Sequence, residues 1–192
     1  YRLLPDQPLL CPIGRLDKDT SGLILIAKNK YAAQQLERQR ANHTLSRVYL
    51  ALADDHWTNQ YKSGLIDRPI EKVPECFNRY QVADTGRPSR TEYEVLSEFT
   101  YEETPFSLVR LKLQTGRTHQ IRVHMASLSH PLLGDSIYGH EGFLGFDRAA
   151  LHSFEITCQL PGHQDLAVFS SEMPEDFQKM IAKSINFSST LI

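Results

Sequence analysis

Residues 46–53 do the most to limit what this chain can fold into. Val48, Leu50 and Leu52 alternate there with Tyr49, Ala51 and Ala53, and a period of two marks a strand whose successive side chains point to opposite faces. Tyr49 therefore lies on the face opposite Val48. Residues 90–97 and 106–113 read as two more strands, joined by an acidic turn over 100–105. A last strand pair is expected over 151–159 and 165–170, and 23–28 reads as a short buried strand after a glycine. Helices are few. Asn29 caps one over 30–40, with Ala32, Ala33 and Leu36 as its apolar stripe. Thr118 is the expected cap of a second over 119–128, stopped by His130-Pro131, and a third over 174–183 opens with Pro, Glu and Asp. Gly64, Pro69, Pro74, Gly86 and Pro88 break 54–90 into loops and short strands, and Pro5, Pro8 and Pro12 make 1–13 an extended lead-in. The expected architecture is a mixed α/β (α+β) fold, mainly an antiparallel mixed sheet with flanking helices.

At 192 residues the chain is expected to form a single domain, 1–192, able to bury a sizeable core. Its first residue is Tyr and no basic-then-apolar leader follows, so it reads as truncated at its N-terminus. No apolar run approaches the length of about 18 residues that a membrane span needs, so no membrane partner is expected. Cys11, Cys76 and Cys158 are odd in number, far apart and without a Cys-x-x-Cys pair, which argues for reduced thiols in a cytoplasmic protein. A net charge of −2 works against binding a polyanion, unless the cations are gathered in one place. Arg15, Lys18, Arg117 and Arg122 fall in two short motifs, and Arg87 and Arg90 lie between them, which is consistent with a local basic groove.

The first motif is Gly14-Arg15-Leu16-Asp17-Lys18-Asp19-Thr20-Ser21-Gly22, a turn with two carboxylates and two cations. The second is Thr115-Gly116-Arg117-Thr118-His119-Gln120-Ile121-Arg122-Val123-His124-Met125. Together they read as two halves of one polar site. Ile121 and Val123 imply partial burial of Arg122, and a buried arginine requires a carboxylate partner. His119 and His124 are five apart and share no helix face, and no His-Glu-x-x-His run is present, so no metal site is expected. The glycines of 139–145 lack the Gly-Lys-Ser/Thr of a phosphate loop and read as a flexible rim of the cleft.

These two motifs resemble those of the RluA-type RNA pseudouridine synthases. Further matching segments follow in order: Arg47-Val48-Tyr49-Leu50-Ala51, Gly64-Leu65-Ile66-Asp67-Arg68-Pro69-Ile70, Gly86-Arg87-Pro88-Ser89-Arg90-Thr91-Glu92-Tyr93, His130-Pro131-Leu132-Leu133-Gly134-Asp135 with Tyr138-Gly139, and Leu151-His152. Gly14 stands where many of those enzymes carry His. The resemblance implies a pseudouridine synthase fold with a central cleft, no cofactor, and an RNA partner, ribosomal or transfer RNA. Asp17 would be the catalytic carboxylate, Arg122 its pairing cation and Tyr49 the aromatic support for the displaced base. Arg15, Thr20, Arg117, His119, Gln120 and Leu151 would contact substrate. A monomer is the simplest expectation. Two alternatives remain at this stage: a catalytically silent RNA-binding domain of the same fold, and a hydrolase using Asp17 and Asp19 as a carboxylate pair.

Overall fold

The computed structural model describes residues 10–57 and 61–190. Its frame is a seven-stranded sheet built around β4 (Ser46–Asp54), which pairs antiparallel with β9 (Thr104–Leu113) on one side and β10 (Leu151–Gln159) on the other. Beyond β9 lie β8 (Arg90–Tyr101) and β5 (Ser63–Asp67), and beyond β10 lies β11 (Leu166–Ser170). β2 (Ser21–Gly22) joins β10 in the one parallel pairing among the described residues, with Ser21 opposite His152. Two small sheets complete the strands: β1 (Cys11–Ile13) with β3 (Leu25–Ala27), and the hairpin of β6 (Ile70–Lys72) with β7 (Tyr80–Val82).

The period-two alternation of β4 gives the sheet two buried faces, as a central strand covered on both sides requires. Tyr49, Ala51 and Ala53 meet Ile121 and Met125 of α2 (Gln120–Ser127). Leu50 and Leu52 meet Phe177 and Met180 of α3 (Glu175–Thr190). A third cluster forms where Leu36 of α1 (Lys30–Ala41) packs on Ile13, Ala27, Ile156 and Cys158. The Asn29 side chain accepts the Ala32 amide at 2.8 Å, so α1 is capped as expected.

Four expectations need correction. The extended lead-in forms a strand at Cys11–Ile13, while residues 1–9 lie outside the described part. The apolar run 23–28 is not a buried strand: β3 is an edge piece that leaves Ile24 and Ile26 nearly half exposed. The acidic turn shrinks to Glu102-Glu103, both with positive φ (47° and 65°), because β8 and β9 stay paired as far as Tyr101 and Thr104. Thr118 does not cap α2. His119 occupies that position in the left-handed region with no side-chain bond, and the Gln120 side chain instead reaches back to accept the Arg117 amide at 3.0 Å.

Gly22 fixes the site-bearing turn to the sheet. Its φ is +100°, and a Cβ there would lie 2.2 Å from the Ser153 carbonyl oxygen. Gly22→Ala combines backbone strain with a collision against backbone, so it is expected to lower unfolding free energy by at least about 2 kcal/mol in a urea titration.

Candidate active site

The β1–β2 loop carries Arg15, Asp17 and Thr20, and the β9–α2 loop carries Gly116, Arg117 and Thr118. Both loops open onto one cavity of about 390 Å³, whose wall also includes Tyr49, Gln120 and Leu151. The two motifs, about a hundred positions apart in the chain, are thus one site. The Thr20 amide donates to the Asp17 carbonyl at 3.0 Å and closes the turn that presents Asp17. Ser21 then bonds His152 Nδ1 at 2.9 Å, His152 Nε2 bonds Ser171 at 2.7 Å, and Arg148 donates to the Asp19 carbonyl at 3.1 Å. These contacts hold the turn on the sheet edge.

Tyr49 is 4 % exposed, and burial pushes its phenol above the ordinary value, so it stays protonated at neutral pH. The Arg47 guanidinium beside it pulls the other way, and the Asp17 charge adds to the rise. Arg47 also lines the cavity, and sequence reasoning gave it no role. A Cβ on Gly116 would stand 2.7 Å from Arg47 Nη2 and one on Gly14 3.3 Å from Nη1, so the two glycines leave room for that side chain. The signal for Arg47 was available: two residues before Tyr49 on a strand, it shares the face of Tyr49.

Arg122 departs from the expected pairing. Its Nε and Nη2 donate to Asp135 at 2.7 and 2.6 Å in a two-pronged bond, and Asp135 is fully buried. Asp135 also accepts the Ile137 and Tyr138 amides, each at 3.0 Å. Asp17 makes no direct bond to Arg122, because Asp135 already occupies that edge of the guanidinium; the Asp17 charge reaches it through space. Burial opposes the Arg122 charge, but the bonds and field of Asp135, with Asp17 adding, raise its pKa above the ordinary value. The Tyr138 ring covers one face of the guanidinium at 5.2 Å. The Tyr138 oxygen accepts the Tyr80 amide and donates to His119 Nδ1, both at 2.9 Å, and burial pushes its pKa up to about 12.

Arg15, Thr20, Arg117 and Leu151, among the residues expected to contact substrate, line the cavity. His119 does not line it: it is buried, with Nδ1 bonded to Tyr138. Gln120 lines the cavity, but its amide is fully occupied. Its oxygen accepts from the Thr115 hydroxyl and Arg117 amide, and its nitrogen donates to the Arg90 carbonyl and the Thr91 hydroxyl. Both residues therefore shape the site rather than offer free groups to a ligand. The glycines of 139–145 are no rim of this cavity; Phe143, Leu144 and Phe146 beside them pack on the α3 face of the core.

Burial holds His119, His124 and His152 below their ordinary value. In His124 the neutral ring is built in, with Nε2 donating to the Arg68 carbonyl at 2.9 Å and Nδ1 accepting from Thr91 at 2.8 Å. As pH falls, the unfolded chain binds these protons before the folded one does. The stability from the neutral rings is complete above about pH 6.5 and is lost as pH falls through that value toward the lower folded values. Unfolding free energy is expected to drop steadily between about pH 7 and pH 5, and a level profile would contradict this assignment.

A family model described as RNA pseudouridylate synthase matches residues 2–127. The ribosomal large subunit pseudouridine synthase D of Nitrosomonas europaea is 37 % identical over 177 residues, covering 88 % of this chain and 49 % of that protein. The protein of the same name from Escherichia coli K12 is 34 % identical over 203 residues, covering 93 % of this chain and 60 % of its own length. An uncharacterized RNA pseudouridine synthase of Bacillus subtilis is 39 % identical over 168 residues, with 88 % and 54 % covered. The chain spans about half the length of the curated relatives it matches. Among solved structures, human RNA pseudouridylate synthase domain containing 1 superposes with a TM-score of 0.73 at 30 % identity, covering 85 % of this chain and 69 % of that one. Human RNA pseudouridylate synthase domain containing 4 shares the fold, with a TM-score of 0.70 at 21 % identity over 91 % of this chain and 75 % of that one.

Proposed function

Since the chain belongs to the RNA pseudouridylate synthase family, we propose that it isomerises uridines in structured RNA to pseudouridine. The supporting observation is the gathering of Asp17, Tyr49, Arg15, Thr20 and Arg117 on one cavity wall. The reaction breaks the N1–C1′ bond, turns the uracil and joins C5 to C1′. N1 gains a proton and C5 loses one, so nothing is oxidised or reduced. Asp17 supplies the carboxylate as nucleophile or base. Arg122, held in place by its two bonds to Asp135, supplies a fixed positive charge beside the reacting groups. Tyr49 offers the ring against which the loosened base rests, and its protonated hydroxyl serves as a hydrogen-bond donor.

Of the cations expected to make a basic groove, Arg15 and Arg117 line the Asp17 cavity, where Arg40 and Arg47 join them on a chain of net charge −2, while Arg122 is paired with Asp135 and Arg90 with Asp67. Concentrated cations of this kind attract phosphates where the whole molecule does not. The target uridine must leave its stack to enter the cavity. Ribosomal RNA is the first substrate class to test, because the matched relatives from Nitrosomonas europaea and Escherichia coli carry that substrate in their names. Transfer RNA is the second, and we take the protein to act as a monomer in the cytoplasm. The deciding experiment incubates the protein with ribosomal and transfer RNA labelled with tritium at uridine C5. Release of label with the RNA chain intact is the expected result; RNA binding with no release from either RNA would refute the enzyme, and strand scission would point to a nuclease.

A further inference from the structure

We propose that Phe77, at the tip of the β6–β7 hairpin, is a stacking platform for an unpaired base of the RNA substrate next to the modified uridine, an inference that rests on the reading above. Phe77 is 95 % exposed, whereas the other exposed large apolar side chains among the described residues range from 39 to 66 %. Scattered partly exposed side chains are ordinary, but a whole aromatic ring held in water has no role in this fold.

The tip is not loose. The Val73 amide donates to the Arg79 carbonyl at 2.9 Å and the Cys76 amide to the Val73 carbonyl at 3.3 Å, while Glu75 takes a left-handed φ of 61° to close the turn. At the base, the Tyr80 amide donates to Tyr138 and the Tyr80 ring meets His119 edge-on, with centroids 5.6 Å apart. The hairpin is therefore fastened to the network that holds Arg122.

Its position also fits an RNA strand. Lys72 and Tyr80 of the hairpin, with Arg87, line a second cavity of about 510 Å³. That cavity shares Gly116, Arg117 and Thr118 with the Asp17 cavity, so the two adjoin across those residues. A strand leaving Asp17 across Arg117 runs along the hairpin, and Phe77 stands in its turn, three residues before Tyr80. Lys72, Arg79 and Arg87 join no ion pair among the described residues, which leaves them available to phosphates. An aromatic ring flanked by free cations is the pattern that binds single-stranded RNA, the ring taking a base and the cations the backbone.

The test compares Phe77→Ala and Phe77→Trp in the full chain and again in an Asp17→Asn background. The probes are an RNA stem-loop with unpaired uridines and a fully paired duplex of matching length. Phe77→Ala is expected to raise Kd and KM for the stem-loop about tenfold, with kcat at saturating RNA within about twofold and duplex binding unchanged. Phe77→Trp should bind at least as tightly as the parent. The thermal midpoint should not move, since Phe77 buries nothing. Stem-loop binding by Phe77→Ala within about twofold of the parent would overturn the proposal, as would an equal loss on duplex. A benzophenone side chain at position 77 should crosslink to RNA in a cell extract; capture of protein alone would also overturn it. Because Kd is read in Asp17→Asn, absence of isomerase activity would sink the enzymatic reading without silencing this measurement.

Discussion

Asp17→Asn is expected to lower tritium release from uridine C5 by about a thousandfold or more, while the urea unfolding midpoint stays where it is. The Asp17 carboxylate makes no hydrogen bond or ion pair within the described residues, so replacing it with an amide of the same shape breaks no contact. What it removes is the only carboxylate of the β1–β2 motif that lines the cavity. Its charge is felt at Tyr49, His119, Arg122 and Tyr138, which marks it as the centre of the local field. A variant that keeps turnover within about tenfold of the parent would show that the reacting carboxylate lies elsewhere. A variant that loses both turnover and folding would show that Asp17 is structural.

Asp135→Asn is expected to cost about 3–5 kcal/mol of unfolding free energy, the largest stability effect of any single substitution considered. The carboxylate accepts two bonds from Arg122 and two from backbone amides, and no part of it reaches solvent. An amide there keeps the shape but turns a donor toward the guanidinium and leaves a buried positive charge without its counter-ion. Replacing both partners, Arg122→Met with Asp135→Leu, should recover part of the lost stability while yielding no turnover. That split separates the two roles of the pair: apolar groups can fill the space, but only the ion pair presents a charge to Asp17. A loss below about 1 kcal/mol in Asp135→Asn would mean that water reaches the pair and that Arg122 is not held as described.

The sheet was legible wherever a local pattern matched a tertiary face. The alternation in β4 identified both the strand and the side on which Tyr49 lies, because both faces are covered by apolar helices. Asn29 identified the start of α1, since an Asx cap acts within three residues. The Thr118 cap failed for the opposite reason: the Gln120 side chain, tied to Arg90 and Thr91 on a distant strand, had already taken the loop's amide. β1 escaped notice because a proline-rich segment becomes a strand only when an edge partner stands beside it, and that partner is β3. In the site, sequence supplied Asp17, Tyr49 and Arg122 but no distances between them. It named Asp17 as the carboxylate against Arg122 and gave Asp135 no role, yet the buried Asp135 is the one that takes the bond. Arg47 was missed although its spacing placed it on the face of Tyr49; what the spacing could not show is the room that two glycines from separate loops leave for its guanidinium.

The union of Ser21-Gly22 with His152-Ser153 is two residues long, and it is the whole of the strand pairing by which the Asp17 segment joins the large sheet. One wall of the site is therefore moored far more lightly than the other, for Tyr49 and Arg47 stand on β4 at the centre of the sheet, which pairs with β10 on one side and β9 on the other.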